Sequence, residues 1–532
     1  MNCKLPTRIW TMNFTGAVLL VLISGCSAWS QKWMIPLHHD FSCEIERSVA
    51  ASDSAYHTSL KPMARHRFYL DSTKYFEKDT NKYYYRISAK LWRDHLFKIE
   101  EEDFLVTIDP IFDFSFTYDF ADTSAYQDTV RLWTNTRGVL LQGAIGKTVS
   151  FQSSVLENQS YFPQYLRYMV DSLGVKEQLP YYGLVPGFGR TKAFHVSGYD
   201  YSLASGWVCV QPWKWMDIQF GHGKNFIGHG YRSVLLSDVA YNYPYLKATA
   251  YFFKNKLQYT AIAAQLQTLK RLPLGEVPEA LFSKNIGRFH YVSFSPDPRV
   301  ELGVFEGTVW QRWDSTGVKA LPIMAYIPVP GVSSAVNSTS KKHHTVAGAN
   351  LRIKLNRHSF VYGQFAYDLP NTATAQQVGV RYFGFGLKNL DVQAEWNSTS
   401  DYFYSNHETA ETFGHMNQPL GYVAGGATQE FIASGSLQHR NFFIRLRFNY
   451  LEQKTGNEAR LVMADLSDTL SFPLRVVNQY NAETGWTFNR KTNLQLAFGL
   501  TERFDRMGLF HRHTSAFYVV FRTALFNKYF DF

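Results

Sequence analysis

The chain has 532 residues, Lys+Arg 54 against Asp+Glu 44, a net charge of +10 and 16% aromatics, among them 42 Phe and 33 Tyr. Only 18% of residues are charged, so the chain is too aromatic and too weakly charged for disorder, and a mean hydropathy of -0.24 is too polar for a bundle of membrane helices. Its basic residues are scattered rather than gathered into a patch, which argues against a nucleic-acid partner.

In chain order, Lys4 and Arg8 precede a short apolar run at 14–23, the pattern of an export signal. Ala28-Trp29-Ser30 offers a small-x-small cleavage site, giving a signal peptide over 1–30. Ile23-Ser24-Gly25-Cys26 also fits a lipoprotein box with Cys26 as the acylated residue. Beyond it only Cys43 and Cys209 remain, free to pair or to stay as thiols. Residues 31–103 read as a small helical region that faces the periplasm or plugs a barrel end. Two stretches suggest this: 41–63, with Glu44, Glu46 and Arg47, and 83–99, where Ile87, Leu91, His95 and Ile99 recur at spacing four.

From 104 to 532 the period becomes two. Leu351, Ile353 and Leu355 alternate with Asn350, Arg352 and Lys354; Leu494, Leu496, Phe498 and Leu500 alternate with Asn493, Gln495, Ala497 and Gly499. Tight turns are expected at 254–255, 295–298, 356–357, 387–389, 438–439 and 489–490. Longer links are expected at 269–285, 311–344, 369–375, 401–426, 452–472 and 504–513. Alternating short and long connections are the rhythm of an outer-membrane barrel, with periplasmic turns and outside loops. Earlier strands are placed at 104–120, 131–145, 148–156, 192–203 and 207–220, with turns at 146–147 and 204–206. An amphipathic helix is expected in the link 157–190 from Phe162, Leu166, Met169, Val170 and Leu173. The fold predicted is an all-β, antiparallel transmembrane barrel of about 18 strands. Its partners are outer-membrane lipid and, through a C-terminal strand ending in Phe532, the barrel assembly machinery. The location expected is the bacterial outer membrane.

The stretch 221–245, GHGKNFIGHGYRSVLLSDVAYNYPY, fits neither helix nor strand and lies on an outside loop. It reads either as a seal or as a binding site. Saccharides present hydroxyls to amide, carboxylate and guanidinium groups and ring faces to aromatics. His222, Lys224, Asn225, His229, Tyr231, Arg232, Asp238, Tyr241 and Asn242 supply that inventory. Arg352, Lys354, Arg381, Arg445 and Arg447 fall on predicted lumen faces, either meeting an acidic polysaccharide or pairing with acids such as Glu395 and Glu483. No G-x-S-x-G elbow, P-loop or H-E-x-x-H occurs. No enzyme, metal or cofactor is expected.

Residues 221–238 followed by NYPYL resemble the signature of the capsule-assembly Wzi-type outer-membrane family, and within it the branch containing the gliding-motility protein RemB. VPGFGRTKAF at 185–194, GYDYSLASG at 198–206 and SFSPDPRVELGVFE at 293–306 add to the resemblance. It implies a barrel with an N-terminal helical part at the periplasmic end. It also implies a role in binding, attaching or assembling capsular or other surface polysaccharide. The RemB branch implies instead a cell-surface component of gliding motility or adhesion, and a barrel of this size also admits a diffusion channel.

Overall fold

The computed structural model describes residues 34–68, 92, 94–174, 183–271, 282–314, 317–320, 331, 343–405, 412–454 and 474–532. The expected signal peptide and most of the 83–99 stretch lie outside these. Eighteen antiparallel strands close into one barrel. In chain order they are β1 Phe104–Asp119, β2 Leu132–Ile145, β3 Val149–Tyr161, β4 Gly198–Trp213, β5 Met216–Gly223, β6 Tyr243–Phe252, β7 Leu257–Arg271, β8 Phe282–Asp297 and β9 Val300–Gln311. Then follow β10 His343–Asn356, β11 Ser359–Asp368, β12 Ala373–Phe383, β13 Leu390–Thr399, β14 Thr428–His439, β15 Phe442–Lys454, β16 Leu474–Asn489, β17 Leu494–Met507 and β18 Phe510–Thr523. Closure comes from β18 on β1, with Val519 opposite Phe116.

The period-two pattern sets which face meets lipid. Phe116, Leu446 and Leu500 are 69%, 55% and 55% exposed on the outside, while Asn449 and Arg503 point inward at 0% and 1%. An apolar outer wall with a polar interior is the arrangement a bilayer requires. Trp213 and Trp215 stack at 5.4 Å at the β4–β5 turn, at one rim of the barrel, where aromatic rings bridge lipid and water.

Several boundaries differ from the sequence reading. Residues 204–206 are not a turn: β4 runs through them and turns at 214–215. A Cβ on Gly206 would stand 3.1 Å from the Gln152 carbonyl, so this glycine serves close strand packing rather than a bend. The link expected at 504–513 is a tight turn at 508–509, where Gly508 takes φ +58. Ile99 lies not on a helix but in the short strand Phe97–Glu101, which flanks β1. The last strand stops at Thr523 rather than at Phe532, and residues 524–532 turn into the lumen.

Three helices are present among the described residues: α1 His39–Ala51, α2 Ala125–Thr129 and α3 Gln164–Leu173. The segment 34–68 sits within the barrel, with Phe41, Ile45 and Val49 of α1 buried. Leu60–Lys61 pairs antiparallel with Phe226–Ile227 of the 224–242 loop. Helix α3 buries Leu166 and Val170 against the barrel mouth. Cys43 and Cys209 are not joined by a disulfide.

Candidate functional site

The loop 224–242 leaves β5 at Gly223 and returns at Tyr243. It folds down the lumen, and its sequence makes that possible at two glycines. Gly228 has φ +144, and a Cβ there would meet Gln364 Nε2 at 2.5 Å; a Cβ on Gly230 would meet Glu395 Oε2 at 2.4 Å. Only a residue without a side chain lets the backbone approach the wall so closely.

Polar side chains on the wall then bind the loop backbone. Gln364 accepts from the Val234 N–H at 2.9 Å and donates to the Ile227 carbonyl at 2.8 Å. Glu395 accepts from the N–H groups of Tyr231 and Arg232 at 2.7 and 3.1 Å. Such bonds are obligatory for irregular backbone in a dry interior. Val234, Leu235 and Leu236 pack at 0% exposure against Phe403, Tyr404, Phe413, Leu420 and Tyr422 of the 400–427 link. This half of the lumen, against β6 to β12, is solid core.

Arg232 is the hub of the loop. Its Nε and Nη2 donate to Glu430 at 3.1 and 2.8 Å, and Nη2 lies 3.1 Å from Asp531. Burial alone would raise the Asp531 carboxyl, but the Arg232 and Arg447 guanidiniums outweigh it and hold it at about 2. Tyr231 donates to Asp531 at 2.9 Å and stacks on His39 of α1 at 4.7 Å. Asp238 accepts from Asn527 and Tyr529 of the C-terminal tail at 2.9 and 2.8 Å. Loop, N-terminal segment and tail thus meet at one point.

Most of the remaining loop candidates are also bonded internally. Lys224 donates to the Gly187 and Asp238 carbonyls at 2.9 and 3.0 Å, and burial pushes its pKa down to about 8. Asn225 accepts from Lys247 at 3.0 Å, and Asn242 donates to the Ala204 carbonyl, which His222 also contacts. His229, fully buried, stands 4.0 Å from Glu46 and 3.6 Å from Glu301. Among the described residues its ring nitrogens make no hydrogen bond, and burial pushes its pKa down to about 3. Tyr241 and His222 are half-buried edge-to-face neighbours.

The lumen bases separate into two groups. Arg352 and Lys354 hold the N-terminal segment, through Thr58 at 2.7 Å and the Ser52 carbonyl at 2.6 Å. Arg381, Arg445 and Arg447 join Tyr231 on a chamber of about 470 Å³ in the other half of the lumen, against β13 to β18 and β1 to β3. Each base there has an acidic partner. Arg381 pairs with Glu46, Arg445 with Glu483 and Asp40, and Arg447 with Asp531. Arg522 pairs with Glu483 and Lys528 with Asp113. The partner acids Glu430, Asp531 and Glu301 are absent from the sequence inventory, and Glu46 enters it only as part of the 41–63 stretch. Glu301 and Glu430 had a readable signal, an acid on the inward phase of a period-two strand.

No protein-family model and no curated protein matches this sequence. Among solved structures the chain is similar to Wzi of Escherichia coli, an outer-membrane protein involved in group 1 capsule assembly and a carbohydrate-binding β-barrel. The TM-score is 0.55 at 13% identity, over 92% of this chain and 99% of that chain. Weaker likenesses are to OprD of Pseudomonas aeruginosa, with TM-score 0.41 and 9% identity over 78% of this chain and 94% of that one. OccK8 (OprE) of the same organism gives TM-score 0.43 and 8% identity over 78% and 97%. At these identities the likeness to Wzi establishes the fold: this chain is a closed, 18-strand barrel of the outer-membrane type.

Proposed function

We propose that the protein is a non-enzymatic outer-membrane barrel that binds surface polysaccharide and helps attach or assemble it. The observation that carries this reading is the filled lumen. A diffusion channel keeps a water path through its barrel. Here one half is apolar core built from the loop 224–242 and residues 403–404 and 412–424, and the other half is crossed by α1 and the tail 524–532. The likeness to a carbohydrate-binding capsule protein supports the choice of ligand class. Within the site, the loop 221–245 frames the lumen, and Tyr231, Arg381, Arg445 and Arg447 present the ligand-facing groups.

Deletion of the gene tests this reading in the cell. Loss of cell-bound capsule or surface polysaccharide into the medium, with colony spreading intact, is the expected outcome. Loss of spreading alone, with polysaccharide retained, assigns the protein to gliding or adhesion, as expected of a RemB-branch member.

A further inference from the structure

We propose that the half-lumen chamber is a subsite for a neutral sugar, one or two pyranose rings in length. The inference rests on the reading above that the protein holds surface polysaccharide, and it names the class of sugar.

Size comes first. About 470 Å³ falls within the roughly 300–1,000 Å³ of sites that enclose small molecules. Charge comes second. The wall carries Asp40, Asp113, Asp391, Glu483 and Asp531 against Arg381, Arg445, Arg447, Arg522 and Lys528. Acids and bases are equal in number, and every base is already ion-paired. A uronic acid or phosphate would have to displace a buried carboxylate from its guanidinium and leave it unpaired, which is strongly unfavourable. A neutral ligand meets no such conflict.

Free hydrogen-bonding capacity comes third. Ser115, Thr117, Thr134, Ser434 and Ser436 line the chamber, and their hydroxyls make no hydrogen bond among the described residues. The Nε–H of Arg522 is likewise without a hydrogen-bond acceptor. Hydroxyls that both donate and accept suit the hydroxyls of a sugar. The apolar faces a pyranose needs are present in one cluster, from Phe162, Tyr165 of α3, and Phe526 and Phe530 of the tail, with Phe162 and Phe530 edge-to-face at 6.5 Å.

Purified full-length protein in a sugar-free detergent, such as an amine oxide, gives the test. Glucose, galactose, mannose and lactose are compared with glucuronate by equilibrium dialysis. Saturable binding of at least one neutral sugar, with glucuronate no tighter, is expected. Ser434→Trp, which fills the chamber, is expected to weaken that binding at least about tenfold, with an unchanged urea midpoint. Phe431→Trp, on the lipid face of the same strand, leaves it unaltered. Preference for glucuronate, or sugar binding indifferent to Ser434→Trp, overturns the proposal. If isolated surface polysaccharide binds wild type and Ser434→Trp alike while no small sugar binds, the chamber is not the subsite although the polysaccharide reading stands. If neither polysaccharide nor sugar binds, both fall.

Discussion

The Arg232 guanidinium, carried by the loop 224–242, lies 3.1 Å from the carboxylate of Asp531, the penultimate residue of the chain. The two are nearly 300 residues apart in sequence, and both are almost fully buried. The pair locks the loop to the C-terminal tail inside the barrel, with Glu430 of β14 as the third member.

Removal of the cation leaves Glu430 buried without its ion-pair partner and Asp531 with Arg447 alone. Arg232→Ala is expected to cost about 3–5 kcal/mol, read as a lowered urea midpoint of the detergent-solubilised protein. Asp531→Asn is milder, because Glu430 still partners the guanidinium. A midpoint for Arg232→Ala equal to wild type would show that the hub does not hold the loop.

Gly230 tests the close approach of loop to wall. In Gly230→Ala the new methyl stands 2.4 Å from Glu395 Oε2 and 2.7 Å from the Arg232 carbonyl. Overpacking of this kind costs about 1–3 kcal/mol. Gly435→Ala, where a Cβ meets nothing within 4 Å, is the matched control and leaves the midpoint unchanged.

Acid loosens the packed lumen. Burial holds His38 at about 4 and His229 at about 3, below the ordinary 6.5. Glu46 and Glu301 oppose that shift at His229, while Arg352 and Lys61 reinforce it. The unfolded chain therefore binds more protons than the folded one below pH 6.5. Stability is complete above that pH and falls as pH drops toward 4, by at most about 1.4 kcal/mol per pH unit for each histidine. Below about pH 4, protonation of Asp40 and Asp531, both held at about 2, adds to the loss. A urea-midpoint series from pH 8 to pH 4 checks this: His229→Gln flattens the limb between pH 6.5 and 4, and parallel curves for variant and wild type would refute the assignment.

Glu46 binds the plug helix to the barrel, pairing with Lys61 at 2.9 Å and with Arg381 of β12. Glu46→Ala strands both cations and weakens the seat of α1. In planar bilayers wild type is expected to show no large stable conductance and Glu46→Ala to flicker open. A steady, large wild-type conductance would return the channel reading to first place.

The strands were legible because lipid and lumen impose opposite chemistry on alternate residues, as Leu351 and Arg352 illustrate. Glycine misled where its role was packing instead of turning, at Gly206. The contents of the barrel were not legible. The loop 221–245 stood out by composition, but its bonds run to Gln364, Glu395, Glu430 and Asp531, which no local pattern links to it. The paired state of Arg445 with Glu483 was one of two open readings, and only the closed barrel brings β15 and β16 into the register that pairs them. The tail 524–532 carries alternating aromatics that imitate a strand, although it turns inward after Thr523.

The most direct measurement of the central claim is equilibrium binding of the intact, purified barrel to surface polysaccharide isolated from its own cells, in a sugar-free detergent. Saturable binding that is lost when Ser434→Trp fills the chamber is the result predicted. Absence of any polysaccharide binding by a folded, heat-modifiable barrel would contradict the account.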